Sequence, residues 1–206
     1  MRIGNVKRRA VFLDRDGTIN EEVNYLCHPE QLQLLPHAAE GIKLLREAGF
    51  LAIVVTNQSG VARGYFSERR VLEIHRALQA LLAEAGTAID GFYYCAHHPE
   101  VGYAPYRREC DCRKPKPGML LRAAKDFHLD LAQCFVVGDK AIDILPGVEL
   151  GCRTVLVLTG YGRETLNGGL LAEAQPSYIA ADLLDAAKWI VRVSGGSEGR
   201  AKIRHR

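Results

Sequence analysis

Short runs of apolar residues recur along the chain and alternate with longer segments of helical periodicity. The apolar runs predict strands over Ala10–Leu13, Leu51–Val55, Phe92–Cys95, Phe135–Val137, Thr154–Leu158 and Tyr178–Ala180. The amphipathic segments predict helices over Ala38–Ala48, Ser67–Ala85, Pro117–Phe127, Ile142–Leu150 and Leu183–Val193. Because the strands lack polar alternation, they are expected to be buried on both faces, which indicates an α/β three-layer sandwich with a central parallel sheet.

Two irregular stretches, Glu21–Leu35 and His97–Lys116, follow predicted strands. Ligands of parallel α/β sheets bind outside the carboxyl ends of the strands, so both stretches are expected to overhang that edge. Neither stretch is long enough for a separate cap domain. We therefore predict one domain over residues 1–193 with a cleft for a small molecule, followed by a flexible basic tail over 194–206.

The composition is that of an ordinary soluble globular protein, with 48% hydrophobic and 25% charged residues among 206. No apolar run approaches the roughly 18 residues of a membrane span. The N-terminus is polar and lacks the apolar stretch of a secretory signal. These features predict a cytoplasmic protein with no membrane partner.

The net charge of +3 is unevenly distributed, because the first ten residues carry +4 and the last twelve carry +3. The body between them therefore carries about −4. A basic tail can bind nucleic acid, but a solubilising end is the simpler interpretation, and we expect no nucleic-acid partner. No exposed apolar repeat suggests an interface, so we expect a monomer.

Two carboxylates stand directly after the first predicted strand, in Asp14-Arg15-Asp16-Gly17-Thr18. A carboxylate at such a strand end can bind a hard cation, attack phosphorus or transfer a proton. A surface turn has a similar composition, so the motif alone is weak. Gly138-Asp139-Lys140 follows another strand, and Asp139 could complete a Mg²⁺ site with Asp14.

Two further signals suit phosphate. Thr56-Asn57-Gln58-Ser59-Gly60 follows the second predicted strand and offers hydrogen-bond donors to phosphate oxygens. Arg113 and Lys114 stand before a predicted helix, where their charges add to the positive end of the helix dipole. The combined pattern indicates phosphoryl transfer at one edge of the sheet.

The order of these signals along residues 10–160 resembles the haloacid dehalogenase (HAD) superfamily of aspartate-based phosphohydrolases. The resemblance implies a HAD-like Rossmannoid fold without a large cap domain. It also implies that Asp14 is the nucleophile and that Asp16 is the general acid and base. Thr56 and Lys114 would hold the transferring phosphoryl group.

The same resemblance implies a catalytic Mg²⁺. The ion would bind the carboxylates of Asp14 and Asp139 and the backbone carbonyl of Asp16. Asp143, four residues beyond Asp139, would orient these ligands rather than bind the ion.

Four further residues form a pattern that is typical of structural zinc. Cys95-Ala96-His97 and Cys110-Asp111-Cys112 flank the second irregular stretch. Two pairs of this kind provide the four ligands of a closed tetrahedral Zn²⁺ site. A metal-free thiol cluster is the alternative, and His98 competes with His97 as the ligand. The zinc would hold the loop that precedes Arg113 and Lys114.

Within the superfamily, the zinc loop, Ser59 and Lys140 resemble the D-glycero-D-manno-heptose-1,7-bisphosphate 7-phosphatase family. Histidinol phosphatases are similar but typically have Asp in place of Ser59 and Arg in place of Lys140. The resemblance implies a sugar bisphosphate substrate in the synthesis of activated heptose for lipopolysaccharide. The implied substrate contacts are Glu22, Val23, Asn24, Tyr25, Asn57, Gln58 and Ser59, with Arg113 and Lys140 binding the phosphate that stays.

Other functions are consistent with parts of the pattern. Histidinol phosphate, a nucleic-acid 3′-phosphate or another small phosphomonoester could be the substrate. A zinc-stabilised nucleic-acid-binding protein is the alternative outside the enzymes. The intact set of strand-end residues argues against a non-catalytic role.

Overall fold

The computed structural model describes residues 7–168 and 174–195 of the chain. In these ranges six strands form one parallel sheet: β1 (Ala10–Leu13), β2 (Leu51–Asn57), β3 (Gly91–Cys95), β4 (Phe135–Gly138), β5 (Arg153–Val157) and β6 (Tyr178–Ala180). The strand order is β3-β2-β1-β4-β5-β6. The α/β fold and all six predicted strands are confirmed, with ends that differ by at most two residues.

Helices cover both faces of the sheet: α1 (Ala38–Glu47), α2 (Glu68–Glu84), α3 (Gly118–Phe127), α4 (Ala141–Glu149), α5 (Gly162–Asn167) and α6 (Leu183–Gly195). All five predicted helices are confirmed. The pattern does not predict α5, because six residues are too few to show a helical period. Helix α6 extends two residues into the predicted tail, and residues 196–206 lie outside the described ranges.

Successive side chains of β1 enter two different apolar cores. Val11 and Leu13 pack in the core that is shared with α1, α2 and α6. Ala10 and Phe12 pack in the core that is shared with α3. Because both faces of the strand are buried, the apolar sequence of β1 follows directly from its central place in the sheet.

Capping residues mark the start of α2 and the end of α1. The Ser67 hydroxyl accepts a hydrogen bond from the Arg70 amide at 3.3 Å, which caps the start of α2. Gly49 follows α1 with a φ of 84°, a backbone conformation that favours glycine. These stops return the chain to the sheet at the amino end of the next strand, so every carboxyl end faces the same edge. Across the described ranges, no helix combines the length and hydropathy needed to cross a membrane.

Candidate active site

A cleft of about 360 Å³ opens at the carboxyl ends of the central strands. Its walls include the predicted residues Asp14, Asp16, Glu22, Asn24, Tyr25, Thr56, Asn57, Gln58, Ser59, Arg113, Lys114 and Lys140. Asp139 lies beneath this cleft and is fully buried. Val23 does not line the cleft, and 40% of its surface is exposed. The topology therefore gathers the predicted catalytic residues from four separate segments of the chain.

Lys114 joins two buried carboxylates at the floor of the cleft. Its Nζ lies 2.6 Å from Oδ1 of Asp14 and 2.8 Å from Oδ1 of Asp143, and it also donates to the Val55 carbonyl at 2.9 Å. Burial opposes the charge of Lys114, but the two aspartates raise its pKa above the ordinary value. Lys114 is therefore a permanent cation that holds one oxygen of Asp14 in place.

The carboxylates outnumber this cation. Oxygens of Asp14, Asp139 and Asp143 lie within 4.8 Å of one another. Burial, reinforced by Asp143, raises the pKa of Asp14 to about 7. Burial, reinforced by Asp14 and Asp143, raises the pKa of Asp139 to about 8. The three carboxylates therefore carry more negative charge than the single cation of Lys114 can balance.

The two carboxylate oxygens of Asp139 differ in their hydrogen bonding. Its Oδ2 accepts the amide of Tyr161 at 2.8 Å, whereas the buried Oδ1 has no hydrogen-bond partner among the described residues. Gly17, with a φ of 84°, lies so close that a Cβ there would collide with the Asp139 carboxylate. Oxygen ligands, excess negative charge and an unpaired buried oxygen fit a hard divalent cation such as Mg²⁺.

Asp16 lies beside Asp14 in the cleft but has different partners. Arg15 donates to both of its oxygens, at 2.7 to 3.0 Å. Asn20 and Gln58 add hydrogen bonds of 2.9 and 3.0 Å. Burial works against the charged carboxylate, but the Arg15 guanidinium and these hydrogen bonds lower the pKa of Asp16. The two aspartates of the motif are therefore electrostatically distinct.

The segment at the end of β2 connects the cleft to the Lys114 loop. The side-chain amide of Asn57 donates to the backbone carbonyl of Lys114 at 3.1 Å and accepts from the backbone amide of Lys114 at 3.0 Å. The Gln58 amide bridges Thr56 and Asp16, at 3.0 Å to each. Asn57 thus fixes the backbone of Lys114, and Gln58 aligns two side chains that face the cleft.

A second wall of the cleft joins residues that are distant in sequence. Lys140 Nζ lies 3.1 Å from the Glu22 carboxylate and 4.4 Å from the centre of the Tyr161 ring. The Tyr161 hydroxyl donates to Asn24 at 3.4 Å. Tyr161 is absent from the sequence prediction, although its position just beyond β5, at the same edge of the sheet, could have identified it. Its backbone contacts Asp139 and its side chain contacts the wall, so it connects the two.

The predicted zinc ligands converge at the end of β3. The three sulfur–sulfur distances among Cys95, Cys110 and Cys112 are 3.3 to 3.6 Å, and His97 Nδ1 lies 3.4 Å from the Cys112 sulfur. Tetrahedral Zn²⁺ with bonds of about 2.3 Å would space its sulfurs by about 3.8 Å, close to this arrangement. The cysteines are free thiols, and burial raises the pKa of Cys95, which a bound cation would reverse.

The neighbouring histidine lies outside this cluster. His98 Nδ1 accepts the amides of Glu100 and Val101, both at 3.2 Å, which closes a turn. Arg113 connects the cluster with the cleft, because its guanidinium donates to the His97 carbonyl at 3.2 Å while the same side chain lines the cleft. The sulfur cluster therefore anchors the segment that carries Arg113 and Lys114.

Comparisons with known proteins agree with this geometry. A family model described as HAD-hydrolase-like matches residues 111–186. The chain is 46% identical over 187 residues to the D-glycero-D-manno-heptose-1,7-bisphosphate 7-phosphatase of Thermosynechococcus vestitus, an alignment that covers 89% of this chain and 95% of that protein. It is 45% identical over 185 residues to the D-glycero-beta-D-manno-heptose-1,7-bisphosphate 7-phosphatase of Vibrio cholerae, with 89% and 97% covered.

A solved structure has the same fold. The D,D-heptose 1,7-bisphosphate phosphatase from B. bronchiseptica, crystallised with magnesium and phosphate, superimposes with a TM-score of 0.79 at 34% identity. The match covers 90% of this chain and 99% of that one. The parallel sheet and its strand-end carboxylates are thus those of a HAD-like hydrolase, a phosphatase. More narrowly, the chain belongs to the D-glycero-D-manno-heptose-1,7-bisphosphate 7-phosphatase family.

Proposed function

We propose that this chain removes the 7-phosphate from D-glycero-D-manno-heptose 1,7-bisphosphate, in the synthesis of activated heptose for lipopolysaccharide. One observation carries the proposal: Asp14 and Lys114 share a cleft with two further cations, Arg113 and Lys140. A bisphosphate needs one set of charges for the phosphate that reacts and another for the phosphate that stays. The names of the relatives from Thermosynechococcus vestitus and Vibrio cholerae agree with this substrate.

In the first step, Oδ2 of Asp14 attacks the phosphorus of the 7-phosphate, and the bond from phosphorus to the sugar oxygen breaks. Lys114 holds the other oxygen, Oδ1, at 2.6 Å and so orients the nucleophile. Lys114 and the Thr56 hydroxyl stabilise the transferring oxygens. The product of this step is a phosphoryl group bound to Asp14.

Asp16 moves the proton in both steps. In its protonated form it gives that proton to the sugar oxygen as the first bond breaks, so that an alcohol leaves rather than an alkoxide. It then accepts a proton from the water that attacks the phosphoryl group on Asp14. The bond from phosphorus to Asp14 breaks, which releases inorganic phosphate and regenerates the enzyme.

Mg²⁺ would be held by the carboxylates of Asp14 and Asp139 and by the carbonyl of Asp16. When bound, it supplies the positive charge that lets an anionic nucleophile approach an anionic phosphate. Oδ1 of Asp143 accepts a hydrogen bond from the Lys114 ammonium group, and Oδ2 accepts one from the backbone amide of Lys140 at 3.0 Å. Because both of its oxygens are in use, we assign Asp143 to orientation of the site.

Zn²⁺ would be held by Cys95, His97, Cys110 and Cys112 in a closed structural site. Its role would be to hold the loop that precedes Arg113 and Lys114. The free thiols of all six cysteines suit a reducing compartment, which supports a cytoplasmic location. We also propose that the chain acts as a monomer with a small-molecule substrate, and that it has neither a nucleic-acid nor a membrane partner.

The polar lining of the cleft would set specificity. Glu22, Asn24, Tyr25 and Ser59 all line it and offer hydrogen bonds and one aromatic surface to a sugar. Val23, which does not line the cleft, is not assigned a side-chain contact.

The substrate is tested by measuring kcat/KM side by side on both anomers of the heptose bisphosphate, histidinol phosphate and fructose 1,6-bisphosphate. We expect a heptose bisphosphate to be preferred by at least about tenfold. A preference for histidinol phosphate would replace the proposed substrate with that of the related family. Equal, poor activity on all four would leave only the phosphatase reaction.

A further inference from the structure

Arg15 has no role in the reaction described above, although it lies between the residues of the motif. It is the bulkiest fully buried side chain in the part of the chain that the structure describes, with 0% exposure. A guanidinium remains protonated at any physiological pH, so its burial is costly unless a partner compensates the charge. Such a residue is expected to have a definite function.

The compensating partner is Asp16. Arg15 Nε lies 3.0 Å from Oδ1, and Nη2 lies 2.8 Å from Oδ1 and 2.7 Å from Oδ2. Together with Asn20 and Gln58, these contacts give the carboxylate five hydrogen bonds. Three of the five come from the Arg15 guanidinium, so Arg15 contributes most to the orientation of the carboxylate.

The backbone of this turn does not depend on the Arg15 side chain. The Arg15 carbonyl accepts the amides of Ile19 and Asn20, at 2.8 and 3.1 Å, and the Gly17 amide donates to the Asn20 carbonyl at 2.8 Å. These hydrogen bonds close the turn by themselves. The side chain of Arg15 therefore acts on the side chain of Asp16 rather than on the path of the chain.

We propose that Arg15 is a positioning residue that holds the Asp16 carboxylate in the orientation that reaches the leaving oxygen of the substrate. The inference rests on the proposed function, in which Asp16 gives its proton to that oxygen. Asp16 lines the cleft with 18% of its side chain exposed, so a carboxylate held there can meet a bound phosphate ester. General acid catalysis requires hydrogen-bond reach, and a displacement of about 1 Å can cost 10²-fold in rate.

A comparison of two substrates with different leaving groups distinguishes positioning of Asp16 from a merely structural role of Arg15. A sugar alcohol is a poor leaving group and needs a proton, whereas p-nitrophenolate leaves without one. We expect Arg15→Met to lower kcat/KM on heptose bisphosphate by about 100-fold but kcat/KM on p-nitrophenyl phosphate by less than about threefold. This ratio is used because kcat/KM covers the steps up to phosphorylation of Asp14, whereas the later attack of water involves Asp16 with both substrates. Arg15→Lys keeps the charge without the two-pronged geometry, so it should restore part of the loss on the sugar substrate.

A double-mutant cycle tests whether Arg15 acts through Asp16. Asp16→Asn should reproduce the selective loss of kcat/KM on the sugar substrate. The combination of Arg15→Met with Asp16→Asn should then be no slower than Asp16→Asn alone, because the carboxylate that Arg15 orients is gone. Independent, multiplying losses would overturn the proposal.

Matched controls keep the result interpretable. Arg46 forms a similar pair with Asp90, at 3.0 Å, beside the amino end of β2 and far from the cleft. Arg46→Met should leave the ratio of the two activities unchanged. If Arg15→Met does not fold, Asn20→Ala removes one weaker hydrogen bond to Asp16 and should give a smaller selective loss.

Two failures can be told apart. If the wild-type chain hydrolyses p-nitrophenyl phosphate but not heptose bisphosphate, the proposed function fails. The Arg15 variants are then compared on whichever alkyl phosphate the wild type does hydrolyse. If the wild type hydrolyses the sugar substrate and the Arg15 variants lose kcat/KM equally on both substrates, only the role of Arg15 is overturned.

Discussion

Two clusters of potential metal ligands lie near the carboxyl ends of strands in the same sheet, one after β1 and β4 and the other after β3, and they differ in chemistry and in access. The oxygen cluster of Asp14, Asp139 and Asp143 is buried, adjoins the cleft and contains the cation of Lys114. The sulfur cluster of Cys95, His97, Cys110 and Cys112 is partly exposed and offers all four ligands of a tetrahedral site. Hard oxygens beside a substrate cleft suit catalysis, whereas four soft or borderline ligands suit a closed structural site.

The two clusters are nevertheless connected. Arg113 and Lys114 follow Cys112 directly, and Arg113 donates to the His97 carbonyl at 3.2 Å. On the other side, Asn57 holds the backbone of Lys114 with two hydrogen bonds. The sulfur cluster therefore influences the reaction only through the position of two cations. A change at the sulfur cluster should therefore be detectable as a change in turnover at the oxygen cluster.

Loss of the nucleophile should have the largest effect. Asp14→Asn keeps the size of the side chain but removes the attacking carboxylate, so we expect turnover to fall by about 10⁴-fold or more. Zinc content and the circular dichroism spectrum should not change, because the sulfur cluster does not contact Asp14. A variant that retained activity would contradict the assignment of Asp14.

Loss of a zinc ligand should have the next largest effect. Cys110→Ser should abolish zinc binding, lower Tm by more than about 10 °C and lower turnover by about 100-fold as Lys114 moves. Cys152→Ala is the matched control, because Cys152 is a buried cysteine of the core shared with α3 but is not a member of the sulfur cluster. Metal analysis, calorimetry and turnover measurements on both variants check the prediction. Unchanged turnover in the zinc-free variant would show that the sulfur cluster does not position Lys114.

Loss of the second phosphate contact should have a smaller, selective effect. Arg113→Met removes a charged hydrogen-bond donor from the cleft, so KM for heptose 1,7-bisphosphate should rise by about 10- to 100-fold. KM for heptose 7-phosphate, which lacks the other phosphate, should change little. Arg107→Met is a control from the same loop, because Arg107 is exposed and does not line the cleft. Equal increases in KM on both substrates would remove Arg113 from the binding of the second phosphate.

The smallest effect concerns stability and pH. In metal-free protein the pKa values of Asp14 and Asp139 are raised from 3.8 to about 7 and 8, so the folded state binds more protons than the unfolded state. Stability should therefore fall as pH rises through this range. We expect Tm to drop by about 5 °C between about pH 5.5 and 8.5, and Mg²⁺ to restore it at the higher pH. Scanning calorimetry with and without Mg²⁺ checks the sign, and a Tm that rises with pH without metal would contradict it.

Residues at strand ends were predictable, because the parallel topology brings all carboxyl ends to one edge. Asp14, Thr56 and Asp139 were located in this way from short sequence motifs. The order of the strands need not be known for that inference, since each motif follows its own strand. The four sulfur-cluster ligands were predictable for a different reason, because their residue types leave few other interpretations.

Tertiary partners were not predictable. Arginine in a turn is usually exposed, so nothing in the sequence indicates that Arg15 is fully buried against Asp16. The ion pair between Glu22 and Lys140 spans 118 residues and depends on how the first loop folds over β4. Tyr161 enters the site because β5 lies beside β4. Each of these contacts depends on packing between segments, which local patterns do not specify.

We propose that the oxygen cluster performs the chemistry with Mg²⁺ while the sulfur cluster holds Zn²⁺ for structure. The most direct test measures the activity and metal content of the full chain before and after mild treatment with EDTA. We expect activity to disappear and to return with Mg²⁺ alone, while about one zinc ion per chain stays bound throughout. Activity that follows zinc content and does not respond to Mg²⁺ would contradict the claim.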